Sequence, residues 1–143
     1  MKIQDLMFRE QTETKLYHAT PAENLPSIRR KGLVPGIQTY GAQNGVYVSD
    51  DASVAANYSG FDPEKKWVLL TIDGSQLDSS KFGPDDYELQ DVLDNIDEED
   101  AIERYGSDRW SDFSAEQSMR LVNQAVYNGV IPPSAIIDSE PLK

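Results

Sequence analysis

The chain has no cysteine. Disulfides and thiolate metal sites are therefore excluded; that is neutral on compartment and fits the cytoplasmic setting expected. It has one histidine, His18. Long apolar runs are missing too. The richest, Trp67–Leu70, falls far short of the roughly 20 residues that cross a bilayer as a helix. The opening "MKIQDLMFRE" lacks the cationic-then-apolar order of a secretory signal, so none is expected. Basic charge is scarce: 13 Lys and Arg stand against 25 Asp and Glu, a net charge of −12. That balance opposes nonspecific attraction to phosphate backbones, so any nucleic-acid contact would have to be local. Residues 84–102, "PDDYELQDVLDNIDEEDAI", contain neither Lys nor Arg, and the only basic triplet is "RRK" at 29–31. The acidic run reads first as a solvated helical face, with a surface for a basic partner as the competing reading. It carries no D-x-D-x-D-G loop, and no metal is expected.

What remains is the composition of a folded domain. With 143 residues, 38% hydrophobic and 27% charged, the chain suits a single domain over 1–143, without repeats or linkers. Residues 1–14 are expected to hold a short helix or strand and a polar connection. "KLYHA" reads as a strand with Leu16 and His18 on one face and Tyr17 on the other. A helix follows, with Asn24 as N-cap, or Thr20 and Glu23 as a capping box one turn earlier, and Gly32 past its end. After a polar loop at 37–44 comes the strand Gly45–Ser49. Asp50 or Asp51 then caps a helix over Ala52–Tyr58. "WVLLTID" is a buried strand ending at Asp73. Residues 86–105 place Leu89, Val92, Leu93, Ile96 and Ile102 at roughly helical spacing. "SDRWSDFSAEQSMRLVNQ" reads either as a helix from about Ser114 or as a loop, and "AVYNGVIPPSAIID" as two strands about a turn. Without regular β-α alternation, the class is α+β.

The order of these segments carries a resemblance. "YHAT", "NLPSIRRKGL" and "GVYVSDDASVAANY" together resemble the NAD-binding core of the ADP-ribosyltransferase superfamily. They are most similar to its diphtheria-toxin-like branch, which includes the poly(ADP-ribose) polymerases. That branch pairs a His-Gly-Thr/Ser strand with a helix ending in Gly-Leu, then a Gly-Ile/Val-Tyr strand with a helix closing in Ala-Asn-Tyr. The match covers residues 15–58. The RNA 2′-phosphotransferases share the core and also end in a Pro-Pro turn like "NGVIPPSAI". The implied fold is a split pair of small antiparallel sheets, with NAD in the cleft between them and helices outside.

The resemblance also implies roles. His18 would bond the adenosine-side ribose of NAD, and the backbone of Ala19 would face the carboxamide, with Thr20 beside them. Tyr47 and Tyr58 would sandwich the nicotinamide. Gln124 stands where the family usually has Glu, and Glu116 is the alternative if "SAEQSMRLV" is a loop. Gln cannot carry the negative charge. Ala55 replaces a frequent Ser, and Ala19 the usual Gly. The implied activity is NAD-dependent mono-ADP-ribosyl transfer to a protein or nucleotide acceptor, with His18, Tyr47 and Gln124 as the catalytic set. RNA 2′-phosphotransfer is the enzyme alternative: there Arg29 and Arg30 would meet phosphates, although that family has several arginines around the site, one of them just ahead of the His strand, where this chain has Leu16 and Tyr17. A silent NAD- or ADP-ribose-binding module, or an acidic interaction module, is the alternative from another class. Acceptor choice is expected to lie in 37–44 and 84–114.

Overall fold

The computed structural model of the chain describes residues 15–36 and 45–142. The element expected within 1–14 and the loop expected over 37–44 lie outside the described residues. Six strands are described: β1 (Lys15–Pro21), β2 (Val46–Ser49), β3 (Trp67–Asp73), β4 (Phe82–Pro84), β5 (Gln124–Tyr127) and β6 (Ile136–Pro141). Between them lie α1 (Leu25–Lys31), α2 (Ala52–Ala56), α3 (Asp86–Asp94), α4 (Glu98–Tyr105) and α5 (Ala115–Val122). Strand side chains alternate across the sheet. Leu16 of β1 and Leu70 and Ile72 of β3 therefore enter the main core, with Val46, Val48, Ile28 and Met119. Tyr17 and Ala19 of β1 join Trp67 and Leu69 of β3 on the other face, against Ala55 and Tyr58. Both faces of the sheet are covered.

The α+β class is as expected, but the expected pair of separate sheets is not. All strands pair antiparallel in one six-stranded sheet, ordered β4-β5-β2-β1-β3-β6. Its two halves are joined thinly. β1 runs beside β3 for its full length, Lys15↔Asp73 to Pro21↔Trp67, whereas β1 meets β2 at the single pair Tyr17↔Ser49. Had that ladder continued, Ala19 would oppose Tyr47. Instead the strands fork.

Several local expectations resolve. "WVLLTID" is β3 with the expected bounds. Asn24 sits at the start of α1 without a side-chain capping bond, and donates to Thr20 Oγ1 at 3.1 Å instead. Gly32 ends α1 at φ 80°, where a Cβ would overlap the Ile131 carbonyl. Asp51 caps α2, taking Ser53 N at 2.9 Å. That helix stops at Ala56, two residues short of expectation, and a 3₁₀ turn over Asn57–Phe61 carries Tyr58. The 86–105 stretch breaks into α3 and α4 at Asn95, whose amide donates back to Asp91 O at 2.6 Å and closes the first helix. Leu89 and Leu93 of that stretch are buried with Ala101 and Phe113, while Ile102 is 49% exposed. Ser114 and Gln117 form a full capping box, so the ambiguous "SAEQSMRLV" is helical. Three-residue β4, with Gly and Pro in it, gave no strand signal.

Candidate active site

The fork between β1 and β2 is a slot. Tyr17, His18 and Ala19 line one wall, and Tyr47, Val48 and Ser49 the other. Ala55, Tyr58 and Gln124 close it from α2, the following turn and β5. Its free volume is about 20 Å³, room for about one water. A flat ring therefore enters only as the tyrosine walls part.

His18, 6% exposed, spans the fork. Its Nδ1 lies 2.6 Å from the Tyr47 carbonyl oxygen. A carbonyl only accepts, so Nδ1 carries the proton, and in the neutral ring Nε2 is the acceptor nitrogen. The side chain thus bonds a carbonyl just past the end of the β1–β2 ladder.

Two of the slot tyrosines, Tyr47 and Tyr58, are held from the first turn of α3. Tyr47 OH donates to Asp86 Oδ1 at 2.5 Å. Tyr58 OH lies 3.0 Å from Glu88 Oε1 and 2.9 Å from Gln124 Oε1. One hydroxyl proton cannot serve two acceptors. Turning the Gln124 amide over reconciles them: Nε2 then donates to Tyr58, and Tyr58 donates to Glu88. Burial first, then the nearby Asp85 and Glu88 carboxylates, raise the Tyr58 pKa well above the usual phenol range. Tyr58 is a donor here, not a base.

Asp85 anchors that turn. Its Oδ1 accepts Glu88 N at 2.9 Å. Its own N–H donates at 2.9 Å to Ser118 Oγ, which donates to Gln124 O at 2.5 Å. α3, α5 and β5 are therefore locked together under the slot. The Asp85 carboxyl is pushed up to about 6, foremost by burial. The Glu88 N–H opposes that shift, and the Glu88 and Asp86 charges add to it.

Beside the slot runs an open groove of about 460 Å³. It shares Tyr58 and Gln124 with the slot and continues along Phe61, Tyr87, Glu88 and Asp91.

His18, Ala19, Tyr47, Tyr58 and Gln124, singled out in the sequence, thus come together at one slot. Thr20 does not line it: fully buried, it accepts from Asn24. Glu116 sits in the first turn of α5, not in a loop, and does not line it either. Arg29 and Arg30 are exposed at the end of α1, and Arg29 borders a different cleft, near β6. Asp86 and Glu88 were missed. Their one signal was "PDDYE" at a helix start, but the acidic run around it reads as solvated, and that reading fails for its first turn.

No protein-family model matches the chain. A protein of Thermococcus kodakarensis described as "Probable RNA 2'-phosphotransferase" is 40% identical to it over 74 residues. Those residues are 51% of this chain and 38% of that relative, so this chain matches well under half of the relative's length.

Proposed function

We propose that this chain is an NAD-dependent transferase that holds nicotinamide in the slot and passes the ADP-ribosyl group to an acceptor. The observation that carries the reading is the convergence of His18, Tyr47, Tyr58 and Gln124 on one slot from four separate segments of the chain. Cleaving the nicotinamide–ribose bond builds positive charge on the ribose, so a competent site grips a flat cationic ring, orients hydroxyls and supplies negative potential. Two tyrosine faces suit the ring. His18 Nε2 and the Gln124 amide suit hydroxyls. The charge that Gln124 lacks is carried nearby by Asp86 and Glu88, through the tyrosine hydroxyls they bond.

A second reading, RNA 2′-phosphotransfer, is backed by the likeness to the Thermococcus protein. It too would draw on NAD, and a 2′-phosphorylated RNA is the first acceptor to try. The test is incubation with labelled NAD, alone, with such an RNA and with cell lysate, following nicotinamide release and where the label goes. Release that depends on the RNA and leaves an unphosphorylated 2′-hydroxyl supports phosphotransfer. Label on protein supports ADP-ribosylation. NAD that raises the melting temperature without turnover supports a silent binding module, and no response to NAD overturns the proposal.

A further inference from the structure

The groove beside the slot has a character of its own. Phe61 and Tyr87 are 52% and 53% exposed, an unusual display for large aromatics. With Tyr58 they form a chain of rings: centroids lie 5.3 Å apart from Tyr58 to Phe61 and 6.4 Å from Phe61 to Tyr87. Among the described residues, every charged group lining the groove is a carboxylate, Glu88 and Asp91, one turn apart on the same face of α3. Fully buried Asp85 lies near enough to Tyr58 and Glu88 to interact with both, and its Oδ2 has no hydrogen-bond partner among the described residues. Past Tyr87 and Asp91 the surface continues into a second hollow, where Asp86, Asp94 and Trp110 repeat the same chemistry. Among the described residues neither hollow is lined by Lys or Arg, so a phosphate there would meet only like charge from them.

We infer that this groove is the acceptor subsite and takes the guanidinium of an arginine side chain in a basic polypeptide, with Glu88 receiving the proton of the attacking nitrogen. The inference rests on the NAD-dependent transfer proposed above. A planar cation suits both partners: it stacks on aromatic faces, and its fork of N–H donors matches carboxylates better than a point-charged ammonium does. Because the groove and the slot share Tyr58 and Gln124, a group in one lies next to a group in the other. In the transfer step the ribose–nicotinamide bond breaks and its electron pair leaves with nicotinamide, now neutral. A guanidinium nitrogen bonds the ribose carbon and gives its proton to the Glu88 carboxylate, so the product remains a guanidinium. The second hollow would seat the flanking basic residues.

The test uses agmatine as a guanidinium probe and cadaverine as its ammonium counterpart. With NAD, the full chain is expected to form ADP-ribosyl-agmatine, read by mass spectrometry, and about tenfold less of the cadaverine product. In Glu88→Gln the ratio of agmatine product to free ADP-ribose is expected to fall about a hundredfold. Nicotinamide release with no agmatine product, an unchanged ratio in Glu88→Gln, or transfer to 2′-phosphorylated RNA in place of agmatine would overturn the inference. A second arm omits NAD and reads broadening of agmatine proton resonances, expected with wild type and lost in Asp91→Asn. Broadening without any nicotinamide release would keep the cation site and sink the NAD reading instead. No broadening would sink the cation site.

Discussion

Tyr58 shows how much one hydroxyl can decide. It stands between an amide and a carboxylate, 2.9 and 3.0 Å away, and its proton sets which way the Gln124 amide faces. His18 is fixed as firmly by its bond to Tyr47 O. His18→Ala is expected to reduce nicotinamide release from NAD by about a hundredfold; wild-type release from that variant, measured by chromatography, would remove His18 from the site. Asp85 makes a separate prediction about pH. Its folded-state pKa of about 6 lies above the ordinary 3.8, so the folded chain holds this proton more tightly than the unfolded chain does. The contribution is full below pH 4 and is lost as pH climbs through 6, a change of about 3 kcal/mol. Asn at this position keeps an oxygen for the Glu88 N–H but has no charge to bury. Asp85→Asn should therefore melt above wild type at neutral pH, with the gap closing toward pH 4. Exposed Asp51 and Asp78 and half-buried Asp73 are held low, first by the Ser53, Ser80 and Ser75 hydroxyls respectively. Their opposite trend cancels between the two proteins. A gap of the same size at both pH values would refute the assignment.

Among the elements, the first turn of α3 does the most with the least sequence signal. Asp85, Asp86 and Glu88 come from a run whose composition says solvent, yet Asp85 and Asp86 are buried and all three tie the slot to its surroundings. Periodicity could find β1, β3 and the start of β2, where alternating apolar residues meet a core on each face. The family pattern over 15–58 could place His18, Tyr47 and Tyr58 near one another. Neither could place α3, because what brings it to the slot is distant: Ser118 of α5 holds Asp85 N while bonding Gln124 O. That arrangement depends on α5 starting where it does. Ser114→Ala removes the capping box and should cost about 1 kcal/mol, seen as a lower urea midpoint. If α5 shifts, NAD-induced stabilisation should weaken with it. An unchanged midpoint would mean that the box contributes little.

At the scale of the molecule, charge and topology matter most. A net −12, with acidic residues gathered along α3, opposes nonspecific contact with phosphate backbones, and capture of a basic polypeptide by the proposed groove should weaken steeply with added salt. Binding that is indifferent to salt would argue for an apolar interface instead. The sheet adds something else. Its halves, β4-β5-β2 and β1-β3-β6, are interleaved along the chain, which crosses from one to the other between β1 and β2, β2 and β3, β3 and β4, and β5 and β6. Neither half is a contiguous piece of polypeptide. During synthesis, β1 is made before the other described strands but belongs to a half that is complete only when residues 136–141 have been made. Throughout synthesis of this stretch hydrophobic strands therefore await their partners, and folding of the sheet is expected as one slow, all-or-none event that waits for β6.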